Sequence, residues 1–170
     1  MSTAAPAPAV ELAIAPADYA DPRDAADIVT LLEAYARDPM GGGEQLGQEV
    51  RDEVVPGLAA TPGAFSLIAR LDGEAVGLAN CFTGFSTFIA KPLINVHDMT
   101  VIAGRRGQGI GKALLGAVEA EARRRGACKI TLEVLSGNER AKALYASQGY
   151  SDYQLDPESG HALFWQKRLA

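Results

Sequence analysis

Gly107, Gly109 and Gly111 alternate with other residues in the stretch RRGQGIGK, immediately ahead of a helical pattern. A helix start exposes about four unpaired backbone N–H groups and roughly half a positive charge, which suits a phosphate if no side chain intervenes. Glycine removes those side chains and permits a tight turn. Arg105, Arg106 and Lys112 add charge at the rim. A merely flexible connection would need only one glycine. A nucleoside-triphosphate loop, G-x-x-x-x-G-K-[ST], fails twice: its first glycine falls on Arg106, and Ala113 replaces the hydroxyl that holds magnesium. The dinucleotide pattern G-x-G-x-x-G also fails, its last place falling on Lys112 or Leu114. What fits is Arg-x-x-Gly-x-Gly from Arg106 to Gly111, directly behind a strand.

VHDMTVIAGRRGQGIGKALL (96–115), followed by NERAKALYASQGY (138–150), resembles the GNAT superfamily of acetyl-CoA-dependent N-acetyltransferases. The second stretch carries N-x-x-A-x-x-L-Y at 138–145. The likeness covers residues 10–168 in element order and is sharpest over 93–150. It implies an α/β (α+β mixed sheet) fold of about seven twisted strands, flanked by four helices and splayed between the fourth and fifth strands. It puts the coenzyme A pyrophosphate on the N–H groups of Gly107, Gln108, Gly109, Ile110, Gly111 and Lys112, with Arg106 heading the turn. The pantetheine then runs beside Met99, Thr100 and Val101 like an added strand. A bulge in that strand would free an N–H to polarise the thioester carbonyl. Asn138 falls near the arm and Tyr145 near the sulfur.

Acetyl transfer to an amine needs a neutral amine, a polarised carbonyl and a proton for the departing thiolate. Alkyl amines have pKa values of about 10, so a base or water route must take the ammonium proton. Tyr145 is the acid the motif implies; on helical spacing alone it is a packed aromatic. His97 and Asp98 are the base candidates. Neighbouring strand residues face opposite ways, so an unbroken strand cannot aim both into one cleft. CFTGFSTFIAKPLINVHDMTV (81–101) looks like the polyamine and diamine acetyltransferase branch, in which a Glu-Asp pair occupies positions 97–98. Here His97 replaces the first acid, and imidazole can act as a base near neutrality. His97 otherwise reads as a satisfied histidine on the sheet, and Asp98 reads first as structural. Glu133 is either a contact for the substrate cation or a partner within the sheet. Phe82, Phe85 and residues 86–88 read as core, with a substrate wall as the alternative.

These groups need a framework. VELAIA (10–15) alternates like a strand. Ala25, Ile28, Leu31, Leu32 and Tyr35 recur at helical spacing behind an Asp21 cap and Pro22 at the first turn. A weaker helix follows over 49–58, past a glycine-rich breaker. FSLIARL and EAVGLANCF flank Asp72-Gly73, a hairpin signal. PLINVHDMTVI leads into the glycine turn. Ile110, Leu114, Val118 and Ala122 form the stripe of the helix beyond it, which ends at Gly126. CKITLEVL reads as a strand, SGNERAKALYASQG as a helix with a Ser136/Glu139 capping box, and YSDYQL with HALFWQKRL as a closing hairpin. Residues 1–9, rich in Ala and Pro, read as a disordered tail ahead of a single domain over 10–170.

The chain has 170 residues and a net charge of −5, which speaks against nucleic acid as partner. An acidic body around a cationic turn suits an anionic co-substrate together with a cationic acceptor. Cys81 and Cys128 lack zinc-like spacing and read as a buried, reduced pair. Arg123, Arg124 and Arg125 read as solvated charges at a helix C-terminus. No apolar run is long enough to span a membrane, and the start lacks a secretory pattern, so the expectation is a cytoplasmic protein. The leading functional expectation is an acetyl-CoA-dependent N-acetyltransferase without a metal, acting on a small primary amine such as a diamine, polyamine or amino-acid side chain. The alternatives are a protein N-terminal or lysine acetyltransferase and a noncatalytic acyl-CoA sensor. The resemblance also allows a homodimer through the C-terminal strands.

Overall fold

The computed structural model describes residues 11–154, 156, 158 and 160–169. The tail expected over residues 1–9 lies outside them. The chain forms two compact units, one ending at Thr131 and the other beginning at Leu132.

Strands β1 (Leu12–Pro16), β2 (Ala64–Leu71), β3 (Glu74–Ser86) and β4 (Lys91–Val101) pair antiparallel in chain order. β5 (Ile130–Leu132) completes a five-stranded sheet beside β4. It runs parallel to β4. Cys128 N–H donates to Pro92 O at 2.8 Å and Ile94 N–H to Lys129 O at 3.0 Å, so both segments advance together. The β2–β3 turn is the expected Asp72-Gly73, with φ of 50° and 84°.

Helices α1 (Pro22–Ala36) and α2 (Gln48–Ala60) lie between β1 and β2 in sequence. Asp21 caps α1, its side chain accepting from the N–H groups of Arg23 and Asp24, and Pro22 takes the first position. Ile28, Leu31 and Leu32 of α1 pack with Val55 and Leu58 of α2 against Ile68 and Leu78 of the sheet. The third helix, α3 (Ile110–Arg124), covers the opposite face. Leu78 points to α1 and α2, whereas a Cβ built on its neighbour Gly77 would meet Leu114 Cδ1 at 2.9 Å and Ile110 Cγ2 at 3.4 Å. Glycine there lets α3 sit close on the sheet. The expected stripe of Ile110, Leu114, Val118 and Ala122 is buried.

The C-terminal arginines are not all solvated. Arg125 stacks over the Phe65 ring at 4.0 Å and pairs with Glu121, while Arg123 and Arg124 bond exposed along the helix to Glu119 and Glu121. Both cysteines are free, but only Cys81 is fully buried; burial pushes its thiol up to about 12.

The second unit holds α4 (Glu139–Ser147). Its cap is Asn138, not Ser136: the Asn138 side chain accepts from Ala141 N–H at 3.1 Å. The CKITLEVL strand shortens to the three residues of β5. The closing hairpin is reduced, among the described residues, to one bridge between Gln154 and His161. A two-stranded ribbon is marginal by itself, so alternation alone did not suffice to make these segments strands. The described sheet therefore has five strands rather than seven.

Two measurements check this packing. Leu78 is 0% exposed, and Leu78→Ala is expected to cost about 2–5 kcal/mol in denaturant unfolding. Arg124 and Arg125 hold the Glu121 carboxyl at about 2, below its ordinary 4.5. A depressed carboxyl contributes stability above the unfolded value and loses it as pH falls towards the folded one. Between pH 4.5 and about 2 the native protein should lose stability, and Glu121→Gln should flatten that limb.

Candidate functional site

The glycine turn begins where β4 ends. A single 3₁₀ turn, Ala103–Arg105, leads into an extended Arg106. Gly107 and Gly109 then take φ of +79° and +81°, a left-handed conformation that L side chains rarely adopt. Nothing lies within 4 Å of a Cβ built on either, so the space above the turn is open. Gly109 is the N-cap of α3, and no side chain caps that helix among the described residues. The first intrahelical bond runs from Ala113 N–H to Gly109 O at 3.0 Å. The N–H groups of Ile110, Gly111 and Lys112 thus have no partner within the helix. The first turn of α3 also carries no acidic residue. Bare amides and the positive end of the helix dipole are features that suit an anion.

Arg106 does not stand free at the rim. Its Nε donates to Val101 O at 2.8 Å and its Nη2 to Asp38 Oδ2 at 2.6 Å. The other Asp38 oxygen accepts from Met40 N–H, and its backbone oxygen accepts from Gly41 and Gly43. Arg106 therefore ties the glycine turn to the end of β4 and to the loop after α1.

The ladder between β3 and β4 slips once. Asn80 stands opposite Asp98 while Cys81 stands opposite Val96, so His97 is the extra residue of a bulge in β4. In consequence His97 and Asp98 share a face. The His97 ring meets Phe82 edge-on, centroids 5.6 Å apart, and Asp98 Oδ2 accepts from Asn80 Nδ2 at 3.1 Å. Asn80 and Phe82 are two apart on β3 and lie on the face of Leu78, towards α1 and α2. The objection that neighbouring residues diverge is removed by the bulge. His97 is exposed and Asp98 half-buried. On α1, burial pushes the Tyr35 phenol up, and the nearby Asp98 and Asp38 carboxylates push it further.

Met99, Thr100 and Val101 pair with Ala79, Leu78 and Gly77 along one edge. On the other edge, β5 has three residues against eleven in β4, and its bonds at Pro92 and Ile94 set it against the N-terminal half. Residues 99–101 lie past that region. Phe82 packs against the core as expected, but Phe85 and Phe88 are exposed at the far end of the β3–β4 hairpin. In the second unit, Glu133 follows β5 by one residue and is exposed. Asn138 spends its carbonyl oxygen on the α4 cap, and Tyr145 packs its ring 6.0 Å from that of Tyr150. Among the described residues no cluster of His, Cys, Asp or Glu is arranged for a metal, and no helix is long and apolar enough to cross a membrane.

The sequence reading missed Tyr19, Tyr35, Asp38, Ser66 and Asn80. Ser66 and Asn80 carried a signal, being polar residues inside the apolar runs FSLIARL and EAVGLANCF. Asp38 and Tyr35 carried none, since only the folded chain brings them, from the loop after α1 and from α1 itself, to Arg106 and Asp98.

Residues 28–150 match the family model described as Acetyltransferase (GNAT) family, and the chain belongs to that family. It is 38% identical over 95 residues to an uncharacterized N-acetyltransferase of Archaeoglobus fulgidus, a match covering 55% of this chain and 62% of that one. The chain spans about three fifths of the length of the curated relatives it matches. Among solved structures it is similar to the ribosomal-protein-alanine N-acetyltransferase of Brucella melitensis biovar Abortus 2308, with 25% identity and a TM-score of 0.65, covering 86% of this chain and 99% of that one. An aminoglycoside acetyltransferase from an uncultured soil metagenomic sample shares the fold, with 18% identity and a TM-score of 0.72 over 92% of this chain and 97% of that one.

Breaking the Arg106 tie should loosen the loop it holds. Arg106→Ala is expected to speed amide exchange over residues 38–43 by roughly tenfold, the scale of a lost charge-assisted hydrogen bond, while Arg105→Ala leaves it unchanged.

Proposed function

We propose that this chain is an acetyl-CoA-dependent N-acetyltransferase whose acceptor is a cationic primary amine. The observation that carries the reading is the uncapped N-terminus of α3 behind two positive-φ glycines, set directly after the bulged strand. Family membership, and N-acetyltransferase named for a relative, support it. Acetyl-CoA would bring its pyrophosphate to the N–H groups of residues 107–112, with Lys112 adding charge and Arg106 holding the turn in shape. The pantetheine would pair along Met99–Val101, past the residues of β4 that bond to β5, and a backbone N–H at the bulge would polarise the thioester carbonyl.

The reaction is direct attack in a ternary complex. The ammonium first loses a proton, and the amine nitrogen then bonds to the thioester carbon. The carbon–sulfur bond breaks, the amine gives up its second proton, and the thiolate takes one. His97, exposed on the shared face, is the base in this reading. Asp98 beside it receives the positive charge of the acceptor. Tyr145 is the proposed proton donor to the thiolate, Asn138 a contact for the pantetheine and Glu133 a further contact for the cation.

A diamine or polyamine is the first acceptor class, in keeping with the texture of residues 81–101. A protein N-terminus is the second, favoured by the likeness to the ribosomal-protein-alanine enzyme. Thiol release from acetyl-CoA with spermidine, putrescine, lysine and an alanine-ended peptide separates them. Turnover of the first two is expected, and turnover of the peptide alone would select the second reading. Binding of acetyl-CoA with no turnover of any amine or peptide would make the chain a sensor.

Two substitutions test the parts. Gly109→Leu should weaken acetyl-CoA binding by about tenfold or more, since a side chain would enter the proposed anion cradle, with circular dichroism unchanged. Tyr145→Phe should lower kcat by about a hundredfold while acetyl-CoA affinity stays the same; an unchanged kcat would remove Tyr145 from the mechanism.

A further inference from the structure

Ser66 of β2, Asn80 of β3 and Asp98 of β4 stand opposite one another in one row across the sheet. Tyr19 closes the row from the segment between β1 and α1. The proton directions follow from the carboxylate end. An ionised carboxylate only accepts, so the Asn80 amide nitrogen must face Asp98 Oδ2, at 3.1 Å. Asn80 Oδ1 then accepts from Ser66 Oγ at 2.6 Å. That commits the one Ser66 proton, so Tyr19 Oη donates to Ser66 Oγ at 2.9 Å. Every proton in the row points towards Asp98, and bonds aligned in this way polarise one another.

The row has a cost for the fold. Ser66 and Asn80 are each 1% exposed, between apolar neighbours such as Ile68 and Leu78. Apolar residues of similar volume would pack there without polar groups to satisfy. Asp98 is half-buried and has no ion-pair partner among the described residues. Its Oδ1 has no hydrogen-bond donor among them. The titratable groups around it are His97 beside it on β4, Tyr35 on α1 with Asp38 beyond, and, on the opposite face of the sheet, the Cys81 thiol of β3. Among the described residues no guanidinium or ammonium pairs with Asp98 itself: Arg106, beyond Tyr35, is committed to Asp38 and Val101, and Arg125 to Glu121. The amide of Asn80 also interrupts any proton relay, so the row holds the carboxylate rather than conducting from it.

We infer that Tyr19, Ser66 and Asn80 are positioning residues that present Asp98 Oδ1 to the ammonium of a cationic acceptor. This rests on the acetyltransferase reading and names what selects its substrate. The same row would offer nothing to a neutral or anionic acceptor.

The test compares Ser66→Ala, Ser66→Thr and Tyr19→Phe with the wild type, using spermidine, putrescine, lysine and the alanine-ended peptide. Ser66→Ala should raise the KM for the amine by about tenfold, the scale of a weakened bond to a charged group, and leave the KM for acetyl-CoA within about twofold. Ser66→Thr, which keeps the hydroxyl on a strand, should restore it. Tyr19→Phe should move the amine KM the same way by less, and serves if Ser66→Ala fails to fold. An unchanged amine KM, or equal rises in both KM values, would overturn the inference. A wild type that turns over none of the four would sink the acetyltransferase reading instead. The row is then tested alone by NMR: slow solvent exchange of the Asn80 side-chain amide protons, accelerated in Ser66→Ala, supports it, and fast exchange in the wild type refutes it.

Discussion

A helix that begins without a side-chain cap leaves its first amides without a helical partner, and the proposed chemistry of this protein depends on where the core holds that helix start. α3 is anchored along its length by Ile110, Leu114 and Val118 on a sheet that makes room at Gly77. Its N-terminus is thereby aimed by the core rather than by the loop leading to it. Gly107 and Gly109 supply a backbone path open to an anion, and Arg106 fixes that path to Val101 and Asp38. The dipole and the bare N–H groups act over the first turn only, so a displacement of the helix by one turn would remove the proposed anion cradle.

The second constraint is one surplus residue in β4. Without it, His97 and Asp98 would lie on opposite faces of the sheet. With it, both lie on the side of α1 and α2. The polar row behind Asp98 occupies positions in the same core that hold α1 and α2 to the sheet. Stability and the proposed chemistry thus use the same cross-strand register: a slip of β3 against β4 would separate Asn80 from Asp98 and expose Leu78.

Features carried by local pattern were legible in the sequence. The Asp21 cap, the Asp72-Gly73 turn and the stripe of α3 each depend on residues close together in the chain, and each is found in the structure. The glycine turn was legible for the same reason. The bulge was not, because register is a relation between two strands and no single stretch contains it. Ser136 looked like a cap beside Glu139, but the helix starts at Asn138, whose side chain reaches Ala141. The closing strands failed for a further reason. Alternation in YSDYQL and HALFWQKRL describes a face, whereas a strand also needs a partner edge. Among the five polar residues missed, only Ser66 and Asn80 announced themselves, as hydrophilic interruptions of buried strands.

The account stands or falls on the occupant of the α3 N-terminus. Titrating the isotopically labelled protein with coenzyme A and following backbone amide resonances tests it most directly. The account predicts that the largest shifts fall on residues 107 and 109–112 and are absent when pantetheine without the nucleotide diphosphate is used. Large shifts elsewhere in the chain, with those amides unmoved by coenzyme A at saturation, would contradict it.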